Sequence, residues 1–432
     1  MTEFDVHRNP THLRMYQNGT LTRAANNKSL EYWKTAAAAS LTAGLLSFLS
    51  PQVGELGRGL RTTLPALVIA LIAITRVSPQ AFRYTLARFR SGFVFGFIFL
   101  AQAALRFAYA DDVTLWQGYV FGPLEALTFL LWIGAYTELG SEAVSRMRCW
   151  LLFGWCISLA LGVPTLLDNP GVARSTMGGN AFAAENAALL APYGIGAYTV
   201  YTSAAICLPL LFFAYRQLTG IARLLAFVLL CLTATAVLLS TFSMAAVLLV
   251  ISLFGTLMGW VFGGQGILRM LRLVIVLLPI GFLPVVYTEA TLSPETKFAA
   301  DKVRRLIEGI SAEGLTKGDE TGRGRRFMEE MDSFSKEPFL GYVPGVTGQR
   351  DTGHSSLSNS LILFGFFGAA TWVAMFWSVL KDSLRNARSS KEKYVLVMTI
   401  FVLTLGGILN PTWHSPTALG ALFALSISHR RN

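Results

Sequence analysis

His354-Ser-Ser-Leu-Ser-Asn-Ser-Leu-Ile-Leu-Phe-Gly-Phe-Phe-Gly368 begins where a polar segment, 291–353, gives way to an apolar run. An ionisable ring thus stands at the boundary between a water-facing loop and a hydrophobic span. On a helix of 3.6 residues per turn, Gly365 falls about three turns beyond His354 on nearly the same face, and Gly368 within about 40° of it. Along the stripe His354, Ser358, Leu361, Gly365, Gly368, small residues would let a neighbouring helix or a lipid chain approach the backbone. Unpaired N–H groups and the positive dipole end at a helix N-terminus disfavour imidazolium. A neutral imidazole can serve as a general base. The same residues also describe an interfacial histidine beside a packing stripe, and spacing alone leaves both readings open.

Outward from that boundary the chain stays apolar. Of 432 residues, 53% are hydrophobic and 14% charged, with a mean hydropathy of +0.50. These values exclude an ordinary soluble domain and imply an all-α polytopic membrane protein. A net charge of +11 would suit nucleic acid, but the basic residues lie between apolar runs, which fits an anionic membrane surface and no nucleic acid. Cys149, Cys156, Cys207 and Cys231 fall in or beside apolar runs without metal-like spacing. They are expected to be small buried hydrophobes, with no disulfide framework. The first thirty or so residues carry no signal-peptide core, so the first span is expected to act as the insertion signal.

About twelve apolar runs approach bilayer length. They cover 32–50, 62–76, 91–110, 115–137, 148–166, 194–215, 221–240, 243–262, 269–288, 355–380, 394–410 and 413–428. The expected organisation is a cytoplasmic segment 1–31, nine transmembrane helices over 32–288, a periplasmic catalytic loop 289–354, three more helices over 355–428, and a cytoplasmic tail 429–432. Between spans, 22 Lys and Arg collect on one side, whereas the other has only Arg58, Arg61 and Arg174 outside the long loop. That bias puts both termini in the cytoplasm and the long loop outside.

Orientation narrows the candidates. His354 and His414 are the outward imidazoles, and His414 reads as a turn residue between the last two spans. Arg106 and Glu125 lie within spans. Intramembrane charges default to a functional role, though consecutive helices could equally pair these two structurally. Asp111 and Asp112 in the turn between them are weak evidence for a metal, and none is expected. The outward segment 165–193 is long enough to be functional or disordered, and Arg174 is its one base. Ten Lys and Arg lie in the long loop, against the usual trend for exported segments, which makes sense if something anionic binds there. Two helices are expected in it, about 294–310 and 322–335. On the second, Arg323, Phe327, Met331 and Phe334 share a stripe and Arg326 is one turn from Arg323. Such guanidiniums can converge on phosphate oxygens, or form a solvated basic face against lipid headgroups.

His354-Ser355, nine residues, Gly365, two residues, Gly368 resembles the His-(Asn/Ser/Gln)-x9-Gly-x2-(Gly/Thr/Tyr) signature of the O-antigen ligases and the related pilin oligosaccharyl transferases. Gly322-Arg323-x3-Phe327 followed by Pro338-Phe-Leu-Gly-Tyr-Val-Pro-Gly resembles the Gly/Ser-Arg-x3-Trp…Pro-x-x-Gly-x-Gly stretch of the wider ligase and polymerase superfamily. The chain departs from the pattern with Phe327 for tryptophan and with Ser243-Met244 where relatives often carry Ser-Arg. The resemblance implies a donor polysaccharide on undecaprenyl diphosphate, an acceptor hydroxyl on lipid A-core, and a site facing the periplasm from the bacterial inner membrane. It implies His354 as base and Arg323, Arg326 and Arg174 on the departing diphosphate, without metal or cofactor and with inversion. Ser355, Arg325, Gly365, Gly368, Arg106 and Glu125 are possible supporting residues. An O-antigen polymerase or a protein O-oligosaccharyltransferase would use the same donor. A transporter is the non-enzymatic alternative, disfavoured by the lack of an inverted repeat and by having only Arg106 and Glu125 as charges within spans. Repeat sugar, acceptor sugar and oligomeric state stay open.

Overall fold

The computed structural model describes residues 29–46, 49–53, 60–77, 80–108, 127, 130–131, 139, 141–169, 172–176, 181–261, 323–341, 356–387 and 389–409. Among them every regular element is helical and none is a strand. The helices are α1 (29–46), α2 (Leu60–Val77), α3 (Ala81–Arg88), α4 (Arg90–Ala108), α5 (Ser141–Asp168) and α6 (Ala181–Leu190), followed by α7 (Tyr198–Gln217), α8 (Gly220–Leu239) and α9 (Ser243–Val261). Next come α10 (Arg323–Lys336), α11 (Ser356–Asn386) and α12 (Ser390–Leu409). Three are long and apolar enough to cross a bilayer: Glu142–Asp168 within α5, then α7 and α8. Shorter apolar stretches occur in α4, α9 and α11. The expected spans 115–137, 269–288 and 413–428 fall almost wholly outside the described residues, as does the expected loop helix 294–310.

Several boundaries differ from those expected. α5 starts at Ser141 rather than near 148 because its first two turns, with Glu142, Arg146 and Arg148, continue the helix beyond the apolar run. α12 starts at Ser390 rather than 394. Ser389 caps it, its hydroxyl accepting from the Glu392 N–H at 3.1 Å, and Ser-x-x-Glu is a capping-box sequence. The segment after α5, which length alone left as functional or disordered, forms a 3-10 turn Val172–Thr176, then α6, then the turn Ala191–Tyr193.

α7 is the central helix, with every residue from Val200 to Leu211 buried. α5 and α8 pack on one another, and α8, α9 and α12 pack on α7. α9 meets α12 through Gly255-x3-Gly259, where the Cβ space of the two glycines is taken by Met398 and Tyr394 of α12. The Tyr394 hydroxyl donates to the Gly255 carbonyl. Small residues one turn apart permit this approach without cavities, which is how helices associate where no water drives them together. Of the cysteines, Cys156 and Cys207 are buried as expected, Cys149 is half-buried and Cys231 is exposed on α8.

A second pair, α4 with α11, joins the bundle through α12. Arg88, at the end of α3 just before α4, meets Asp382 at 2.8 Å, Gly92 meets Ser378, and Gln102 meets Gly368. The two helices therefore run antiparallel from Arg88 to Gln102.

Candidate functional site at the break in helix α11

α11 is not one straight helix. At Gly365 the backbone turns to φ 66, ψ −175, a conformation that only glycine adopts without strain. The break removes the helical partners of the next two amides, and those amides are satisfied from elsewhere. Phe366 N–H donates to the Pro338 carbonyl at 2.7 Å and Phe367 N–H to the Phe339 carbonyl at 3.3 Å. The acceptors belong to the turn that ends α10, closed by Gly341 N–H on the Glu337 carbonyl at 2.9 Å. Gly341 is itself at φ 77. A Cβ on either glycine would run into the other's backbone nitrogen.

On the far side of the break, Gln102 of α4 donates from Nε2 to the Phe364 carbonyl at 2.8 Å. Phe99 stacks edge-on against Phe364 with ring centroids 4.5 Å apart. Gln102 Oε1 is buried without a hydrogen-bond partner among the described residues. A buried amide oxygen left unpaired is costly. Three elements thus converge: the broken helix, the turn after α10, and the end of α4.

This arrangement corrects the straight-helix reading of the glycine stripe. Gly365 does not open a groove for a neighbouring helix or lipid chain, because the Pro338–Gly341 turn fills the space. Gly368 faces Gln102, where a Cβ would lie 2.9 Å from Oε1. Ser358 is buried. Sequence reasoning missed Gln102, although a glutamine inside an apolar run was a visible signal. It also missed Glu330, which is 7% exposed on α10 and stands one turn after Arg326.

The other expected residues distribute as follows. Arg323, Arg325 and Arg326 lie in the first turn of α10, and Arg106 lies one turn beyond Gln102 on α4; their side chains are outside the described part. His354, Ser355 and Glu125 are outside the described residues, although α11 begins two residues after His354. Continuing the register of α4 on α11 brings the Arg106 backbone level with 360–364. The structure therefore gathers the Arg106 backbone, Gly365, Gly368 and the α10 turn at one end of the α4–α11 pair.

Arg174 is elsewhere. From the 3-10 turn after α5 it reaches the α8–α9 turn, donating from Nε to Thr241 Oγ1 at 2.9 Å and from Nη2 to the Thr241 carbonyl. Burial lowers its pKa from the ordinary guanidinium value, yet a guanidinium remains charged in proteins. Here it first serves to hold a turn.

No family model matches the chain, and no curated protein matches it significantly. The site is therefore read from its own geometry and motifs.

Proposed function

We propose that the protein is a membrane glycosyltransferase of the O-antigen ligase type. It would move a polysaccharide from undecaprenyl diphosphate to a sugar hydroxyl of lipid A-core at the periplasmic face of the inner membrane. The observation that carries this reading is the clamp between Pro338–Gly341 and Gly365. The two stretches behind the resemblance, Pro338-x-x-Gly341 and the Gly365-x2-Gly368 end of His354-Ser355-x9-Gly365-x2-Gly368, are hydrogen-bonded to each other. The lengths on either side of the clamp are similar. Arg326 precedes Pro338 by 12 residues and His354 precedes Gly365 by 11. Similar spacings from the clamp suit a base and a cationic cradle supplied by the two motifs.

A sugar diphosphate is already activated. The reaction then needs a base for the acceptor proton and cations for the leaving pyrophosphate. His354 would take the proton as the acceptor oxygen attacks the anomeric carbon and the bond to the diphosphate oxygen breaks, with inversion. Arg323 and Arg326 would bind the departing charge with bidentate forks, and Ser355, Arg325, Arg106 and Glu125 would line the approach. Arg174 is a weaker candidate for this cradle than its sequence position implied, since Thr241 already engages it.

The test is ligation by purified protein of lipid-linked O-antigen to rough lipopolysaccharide, compared with His354→Ala. We expect loss of at least about 100-fold, the scale on which a general base contributes, with insertion and expression retained. Full activity of the variant would end the base assignment. Ligation should persist in EDTA, and loss restored by one divalent cation would overturn the metal-independent mechanism. Chain extension on the lipid carrier without transfer to core would indicate a polymerase.

A further inference from the structure

The turn after α10 exposes what a water-facing loop ought to bury. Phe339 is 75% and Leu340 55% exposed, although the segment around them is polar. They continue a surface formed by Phe366 and Phe367, 64% and 51% exposed, just beyond the break in α11. Depth can be counted along that helix. The Arg88–Asp382 pair and Lys381 mark a polar boundary at one end. A hydrocarbon layer is about 30 Å thick, the rise of about twenty helical residues. Gly365 is 16 residues from Lys381, about 24 Å, which leaves it about 6 Å inside the opposite boundary. A turn hydrogen-bonded to Phe366 and Phe367 shares that depth.

Backbone at such depth survives only if its polar groups are satisfied within the protein. The Pro338 and Phe339 carbonyls accept from α11, and Gly341 N–H is closed on Glu337. We propose that the Pro338–Gly341 turn is a lipid-inserted anchor, with Phe339 and Leu340 among the acyl chains of the leaflet away from the Arg88–Asp382 end. The anchor ties α10, with Arg323, Arg325 and Arg326 in its first turn, to the membrane surface. It rests on the reading of α11 as a membrane span and is independent of the transferase activity.

The test is spin-label accessibility in proteoliposomes of phosphatidylethanolamine and phosphatidylglycerol. The full chain carries Cys149→Ser and Cys231→Ser and retains the two buried cysteines; the unlabelled-site parent supplies the background. Nitroxides are placed through Phe339→Cys and, separately, Leu340→Cys. Val373→Cys, on an exposed mid-helix position, is the lipid reference and Lys381→Cys the boundary reference. The expected result is collision with oxygen favoured over a nickel chelate at 339 and 340, closer to Val373 than to Lys381. A nickel-favoured label puts the turn in water and overturns the anchor. A label shielded from both reagents means that protein covers the patch, which overturns it equally. Nickel access at Val373 would overturn the spanning reading of α11 together with the anchor, while loss or retention of ligation bears on neither.

Discussion

Arg174 donates twice to Thr241, which has φ 57 and is the one non-glycine residue with positive φ among those described. A β-branched residue there carries strain of about 1–3 kcal/mol. The arginine offsets it by satisfying both the hydroxyl and the carbonyl of the strained residue. Arg174→Ala should therefore lower stability by about 1–3 kcal/mol, the range for losing hydrogen bonds to a charged donor. Thr241→Gly in the same chain should recover part of the loss, because glycine adopts this φ without strain. Thermal unfolding of the two variants in detergent checks this, and a double variant no more stable than Arg174→Ala would remove the strain argument. If Arg174 instead served mainly to bind a diphosphate, Arg174→Ala would leave stability unchanged and weaken donor binding alone.

At the scale of elements, the clamp makes a sharp prediction for Gly365. Alanine there meets both a positive φ and the backbone of Phe339 and Gly341, so neither a rotamer change nor a small shift relieves the clash. Gly365→Ala should release the turn after α10, with the Phe366 and Phe367 amides losing protection in hydrogen exchange by at least about tenfold, on the scale of one buried hydrogen bond. Unchanged protection would show that the turn is held by other contacts. This break was not legible in the sequence. Gly365 and Gly368 share a face of an ideal helix, so periodicity reads them as a packing stripe, and the partner that makes a positive φ worthwhile lies about 25 residues upstream. Gly255-x3-Gly259 was equally silent, because a glycine pair in an apolar run does not say which helix approaches it. The helices themselves were legible for a plain reason. An apolar run of about 20 residues has few alternatives to helix in hydrocarbon, and α7, α8 and α9 fall within a few residues of their expected ranges.

For the molecule as a whole, the sequence carried one strong statement, 22 basic residues on one side of the spans against three on the other outside the long loop, and three long-range contacts join segments that this bias puts on one face. Arg88 pairs with Asp382 at 2.8 Å and Arg146 with Glu31 at 3.3 Å, each joining segments that the charge bias assigns to the cytoplasm. Arg174 reaches Thr241, and both belong to turns assigned to the outside. A span count wrong by one between any of these partners would put them at opposite membrane faces, about 30 Å apart. The three pairs, separated by 294, 115 and 67 residues, are each compatible with an even number of spans between the partners. The consequence is measurable with a membrane-impermeant thiol reagent on intact cells, in the chain with Cys149 and Cys231 replaced by Ser. Ser335→Cys, exposed on α10, should label in intact cells whose outer membrane has been opened, and Arg385→Cys, exposed near the end of α11, only after the inner membrane is permeabilised. The reverse pattern would invert the orientation and overturn the proposed periplasmic placement of the clamp. Equal labelling of both before permeabilisation would place α10 and the end of α11 on the same face, which an α11 crossing the bilayer forbids.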